Sequence, residues 1–128
     1  MPYISLISSW KNNDIESIAH MIDDHVTAYY INELGEAQPI TKSVLIQMLR
    51  RRMSQIIESD DLQWNFEMIH RAQVHDGQMI IFYVYSVENP DYQKTRKTLV
   101  AMTFGHNHSN NPRIKTIYIT TNVTEIQA

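Results

Sequence analysis

The chain has 128 residues, 43% of them hydrophobic and 20% charged, with a formal net charge of −3. These values fit one globular domain able to bury its own core, and the net negative charge argues against non-specific nucleic-acid binding. With no cysteine, disulfides, thiolate metal sites and cysteine nucleophiles are excluded.

The opening MPYISLISSWKNND lacks the basic region and long apolar run of a signal peptide. No apolar run approaches the ~20 residues that span a bilayer. A cytoplasmic protein with no membrane partner is expected. Tyr3, Leu6, Ile7 and Trp10 fall on one face of a first helix, with Pro2 near its start. KNND breaks that helix, and Asn13 or Asp14 caps a second, with Glu16 as the capping-box partner of Asn13. Ile15, Ile18, Ala19 and Ile22 form its apolar face.

HVTAYYI, residues 25–31, is rich in β-branched and aromatic side chains and predicts a strand. NELGEAQP reads as a loop. Thr41 or Ser43 opens a third helix reaching to about Glu58. Its apolar stripe of Val44, Leu45, Met48, Leu49, Met53 and Ile56 is broad, as expected of a helix lying inside a curved sheet. Arg50, Arg51 and Arg52 point in three directions on that helix, cannot form one phosphate clamp, and read as solvated.

After Asp61 the apolar period changes to that of a strand. Trp64, Phe66, Met68, His70, Ala72 and Val74 alternate with polar residues, and Ile69 breaks the pattern. Asp76-Gly77 is a strong hairpin signal. A two-residue turn there pairs His75 with Gln78 and sets Val74 against Met79, Ala72 against Ile81, His70 against Tyr83, and Met68 against Tyr85. The opposite face of the second strand is apolar as well: Ile80, Phe82 and Val84, with Ile69 across from Val84. Helices can cover only one face. These four residues are therefore expected at the interface of a homodimer.

ENPDYQ turns the chain, and KTRKTLVAMTF and RIKTIYITTNV supply the last two strands. The order is α-α-β-α-β-β-β-β. Residues 93–124 contain Lys94, Arg96, Lys97, Arg113 and Lys115 and no acid, which predicts a basic edge complementing the acidic remainder. An aromatic RNA-binding motif and a Gly-rich phosphate loop are both missing, so no nucleic-acid partner is expected. Gly105-His106-Asn107-His108 brings two histidines close together, but no glutamate follows nearby and the segment offers no carboxylate ligand. Crowding of Gly, Asn, Ser and Pro between two strand patterns predicts a hairpin loop, with no metal and no cofactor.

LISSWKNNDIESIAHMIDDHVTAYY, followed by Gly35 and ITKSVLIQMLRR, resembles the nuclear transport factor two-like superfamily. The pattern covers nearly the whole chain and rests on packing and turn positions. The resemblance implies a cone-shaped α+β fold: a strongly curved, mostly antiparallel sheet wrapped around the long third helix, with a pocket at the open end. The fold is shared by ketosteroid isomerases, SnoaL-like polyketide cyclases and scytalone dehydratase, and it commonly implies dimers. It does not imply one chemistry. Where the isomerases carry an acidic base, this chain has Tyr29 or Tyr30, and Leu6 stands where they use an oxyanion-hole tyrosine. Their strand aspartate has no counterpart in residues 93–124. That mechanism is not carried over.

On the predicted inner face the one titratable group of useful pKa is His70, beside Tyr83 and Tyr85. The pocket expected in the cone is lined by Trp10, Tyr29, Tyr30, Trp64, Phe66, Met68, His70, Tyr83, Tyr85 and Met102. Such a lining suits a small hydrophobic or aromatic ligand. The principal expectation is a small-molecule-binding homodimer. The alternatives are a SnoaL-like isomerase, cyclase or dehydratase using His70 as its acid–base group, and a non-catalytic dimerisation module.

Overall fold

A computed structural model describes residues 2–59, 62–75, 77–86, 95–106 and 112–124. Helix α1 spans Pro2–Lys11 and buries Leu6 completely, with Tyr3 and Trp10 packed against the same core. It stops because Asn13 adopts a left-handed conformation (φ +55°), which asparagine tolerates better than most residues. Asp14 then caps α2 (Ile15–Met21) by accepting the Ser17 backbone N–H at 3.2 Å and the Ser17 hydroxyl at 2.6 Å. The capping partner is therefore Ser17 rather than Glu16. The second helix is short, and Ile22 passes directly into strand β1 (Ile22–Ile31).

Gly35, at φ +79°, turns the chain after β1, where a residue without Cβ is at ease. A short strand β2 (Ala37–Ile40) follows, in a segment whose polarity predicts a loop. Thr41 caps α3 (Lys42–Ile57), its hydroxyl accepting the Val44 N–H at 3.2 Å. Leu45, Met53 and Ile56 form the buried line of this helix, while Val44 and Met48 stay exposed. Strands β3 (Asn65–Val74), β4 (Gly77–Tyr85), β5 (Lys97–His106) and β6 (Pro112–Val123) complete an open, curved six-stranded sheet in the order β2-β1-β6-β5-β4-β3. All neighbours are antiparallel except β1 and β6. The α+β architecture and order follow the sequence pattern, with β2 added.

The β3–β4 register departs from the predicted one. Val74 pairs with Gly77, Ala72 with Met79 and His70 with Ile81. Beyond that, Ile69 is an extra residue, and Met68 pairs with Phe82 and Phe66 with Val84. This bulge moves the even-numbered residues of β3 from one face of the sheet to the other. Phe66 and Met68 share the inner face with Phe82 and Val84; His70, Ala72 and Val74 share the outer face with Ile81 and Met79. Gly77 belongs to β4 because β5 passes very close: a Cβ there would lie 1.7 Å from the Phe104 carbonyl oxygen.

Ile80, Phe82 and Val84, expected at a dimer face, are thus the centre of the core, at 0%, 0% and 3% exposure. They cluster with Leu6, Ile18, Leu45 and Met53 from the three helices. Ile69 remains exposed at the bulge. Of the Gly105–His108 segment, Gly105 and His106 end β5, with His106 paired to Pro112, while residues 107–111, including His108, lie outside the described residues.

Two outcomes are expected. Gly77→Ala should destabilise the protein by about 2 kcal/mol or more in urea unfolding, because its neighbour is rigid backbone. The Asp14 carboxyl is held below the usual carboxylate range by the Ser17 hydroxyl and then the Ser17 backbone N–H. A depressed folded-state pKa stabilises above the unfolded value and ceases to do so as pH falls through the folded one. Asp14→Ala should therefore lower the urea midpoint at neutral pH, with the difference shrinking in acid.

Candidate functional site

The concave side of the sheet and the three helices enclose a cavity of about 710 Å³. Its floor is apolar. Leu6, Ile18 and Ile22 enter from the α1–α2–β1 side, Leu45 and Leu49 from α3, and Met102, Ile114 and Ile117 from β5 and β6. These residues face inward because each strand presents one alternate series to the helices.

Trp10 and Trp64 form the aromatic wall. Trp10 makes edge contacts with Trp64 (5.8 Å between centroids), Phe66 (5.5 Å) and Phe82 (6.1 Å), the arrangement favoured by ring quadrupoles. Trp64 is fixed by its indole N–H, which donates to Asn13 Oδ1 at 2.7 Å. The residue that ends α1 thereby also orients a wall of the cavity. Trp10 Nε1 is buried with no hydrogen-bond partner among the described residues. A buried donor in that state costs about 1–3 kcal/mol.

The rim is polar and lies at one end of the sheet, where β4 ends, β5 begins and β6 ends. Arg52 reaches it from α3, donating from Nη1 to Gln55 Oε1 (2.6 Å) and from Nη2 to Ser86 Oγ. Ser86, Thr95, Arg96, Lys97, Thr121 and Asn122 complete this edge. Lys97 is 1% exposed, with its Nζ 3.0 and 3.2 Å from the two oxygens of Glu67 and about 5 Å from the ring centroids of Tyr83 and Tyr85. Burying an ammonium requires this kind of pairing. Among the described residues lining the cavity there is no Asp or Glu.

Of the residues expected to line a pocket, Trp10, Trp64, Tyr85 and Met102 do so. Phe66 backs Trp10 from the same face, and Met68 lies further along that face, partly exposed. Tyr30 bonds Thr121 at the rim (2.9 Å), whereas Tyr29 stacks on Tyr118 on the outer face (5.4 Å). Tyr83 is on the outer face beside Lys97. His70 is exposed on that outer face too, paired with Ile81 and absent from the cavity wall.

The polar rim was not visible as a site in the sequence. Its one signal was the acid-free basic segment of residues 93–124, and part of that segment does complement the acidic half. Lys97 pairs with Glu67, and Lys115 with Asp23 at 2.7 Å. Asp23, at the α2–β1 junction, is thus buried in an ion pair, while Asp24 is exposed beside Lys42 (2.9 Å). Lys42 is the main reason the Asp24 carboxyl lies below the usual range. No three His, Asp or Glu side chains among the described residues come together as metal ligands. No helix among them is long and apolar enough to cross a membrane.

No family model matches the chain, and no curated protein matches it in sequence. Solved structures do. An NTF-2 like protein of unknown function from Silicibacter pomeroyi superposes with a TM-score of 0.67 at 9% identity, over 94% of this chain and 89% of that one. A DUF4783 family protein from Bacteroides ovatus gives 0.65 at 12% identity, over 94% of both chains. An NTF2-like protein of unknown function from Shewanella baltica gives 0.66 at 5% identity, over 96% and 90%. Identities this low speak to architecture and not to chemistry. The helices inside a curved sheet, the strand order and these superpositions agree: the chain has the nuclear transport factor two-like fold.

Proposed function

We propose that the protein binds a small, mainly apolar or aromatic molecule in the cone, and that it does so as a homodimer. The cavity carries the first part. Its volume of about 710 Å³ falls within the ~300–1,000 Å³ of small-molecule sites. Its walls combine aliphatic side chains with two indoles. A purely structural dimerisation module would leave this space without a role. The acid–base alternative loses its principal group, because His70 stands on the other side of the sheet.

An outer-face row, and not the four residues expected from the sequence, supports the dimer. His70, Ile81, Ala101, Tyr118 and Tyr29 form one row across the outer face, each paired to the next. Met79 and Leu99 flank it on the same side. All are at least partly accessible, and Tyr118 is 43% exposed. An apolar band of this kind, uncovered by the chain's own helices, suits a self-complementary two-fold interface.

The ligand reading is checked by titrating the uncharged dye N-phenyl-1-naphthylamine and following its fluorescence. Leu49→Trp, which adds bulk to the cavity wall, should weaken binding by about tenfold or more. Equal binding by a folded Leu49→Trp variant would count against the cavity as the site. For the assembly, sedimentation equilibrium should give a dimer at micromolar concentration and a monomer for Tyr118→Glu. A wild-type monomer under those conditions would end the dimer reading.

A further inference from the structure

We propose that the ligand is an amphipathic carboxylate, its apolar body in the cone and its anionic head at the Arg52–Arg96 rim. This inference rests on the reading of the cavity as a ligand site and adds the ligand's charge and orientation. The lining is sharply divided. Everything deep is aliphatic or aromatic, and the positive side chains Arg52 and Arg96 stand at the one rim where β4 ends, β5 begins and β6 ends.

Lys97 is already committed to Glu67. The arginines are not comparably matched. Arg52 donates to two neutral acceptors, Gln55 and Ser86, and no carboxylate among the described residues pairs with it or with Arg96. A guanidinium carries five N–H donors, so Arg52 retains donors beyond those two bonds. Ser86 is buried and holds the Arg52 fork from below, which orders the side chain without cancelling its charge. Among the described lining residues, Arg52 and Arg96 place positive charge at this end of the cavity, which favours an anionic group over a cationic one.

The head is best taken as a carboxylate. It matches the planar fork of an arginine in bidentate fashion, and one negative charge leaves the bulk of the molecule free to enter an apolar sac. Arg52 thus changes role. Beside Arg50 and Arg51 on the sequence it reads as one more solvated charge, whereas the fold sets it alone of the three at the cavity rim.

Trp10 and Trp64 line the cavity and provide the readout. Decanoate, decanol and decyltrimethylammonium share a chain and differ in head charge, and each is titrated while tryptophan emission is followed. Decanoate should bind about tenfold or more tighter than decanol, with the cationic analogue weakest. Arg52→Gln should bring decanoate close to decanol and weaken decanol far less than decanoate. Arg96→Gln, at an exposed position, repeats the test without touching the Ser86 contact. Equal affinity for decanoate and decanol, or a preference for the cation, would overturn the anionic head while sparing the cavity as a site. No binding of any of the three would remove both readings. Loss of decanol binding together with decanoate in both folded variants would show that the arginines shape the cavity rather than read charge, and would also overturn it.

Discussion

A strand offers its side chains to two faces in strict alternation, so one additional residue reassigns everything on one side of it. In this protein that residue is Ile69. Without the bulge, Phe66 and Met68 would stand on the same face as His70, and the aromatic support behind Trp10 would be directed away from the helices. With it, Phe66 meets Trp10 and Phe82 inside the cone while His70 and Ala72 turn outward. The aromatic wall, the burial of Phe82 and the apolar band outside all depend on that insertion.

The distribution of charge follows from the same layout. Carboxylates from the first two-thirds of the sequence meet ammonium groups from the last third: Glu67 with Lys97, Asp23 with Lys115. Lys97 is nearly inaccessible, so its ammonium needs the carboxylate and the two tyrosine rings around it as a substitute for water. These pairs fix the ends of β1, β5 and β6 near the cavity. They absorb two cations of the basic segment, leaving Arg96 at the rim.

The helices were legible because spacing alone determines which residues a helix buries, and Tyr3, Leu6 and Trp10 pack as that rule requires. Caps were legible to within a residue, since Asp14 and Thr41 are of the few types that satisfy free N–H groups. The strands were legible as strands, but β2 was not, being four residues long and largely exposed. Facing was the weak point. Asp76-Gly77 is a favoured hairpin pair, yet the close approach of β5 draws Gly77 into the ladder, a tertiary constraint invisible locally. The interruption at Ile69 was visible as a break in alternation; a break does not by itself say which side of it points inward. Of the pocket candidates, Trp10, Trp64, Tyr85 and Met102 reached the cavity, and His70, Tyr29 and Tyr83 did not. The rim left only the basic segment as a trace, because it gathers one helix residue and three strand ends far apart in sequence.

The parallel pairing of β1 with β6 has a kinetic meaning. Strands β3 to β6 form a meander in which each pairs with its predecessor, whereas β1 is joined to the sheet by contacts as distant as Tyr30 to Thr121, 91 residues apart. Pairings of that range close large loops and are slow to form. A chain that has completed the meander still has no enclosed space, since Ile22 stands on one side of the missing seam and Ile114 and Ile117 on the other. The seam and the cavity come into being in the same event, so the interior of the cone exists only in a fully wound molecule.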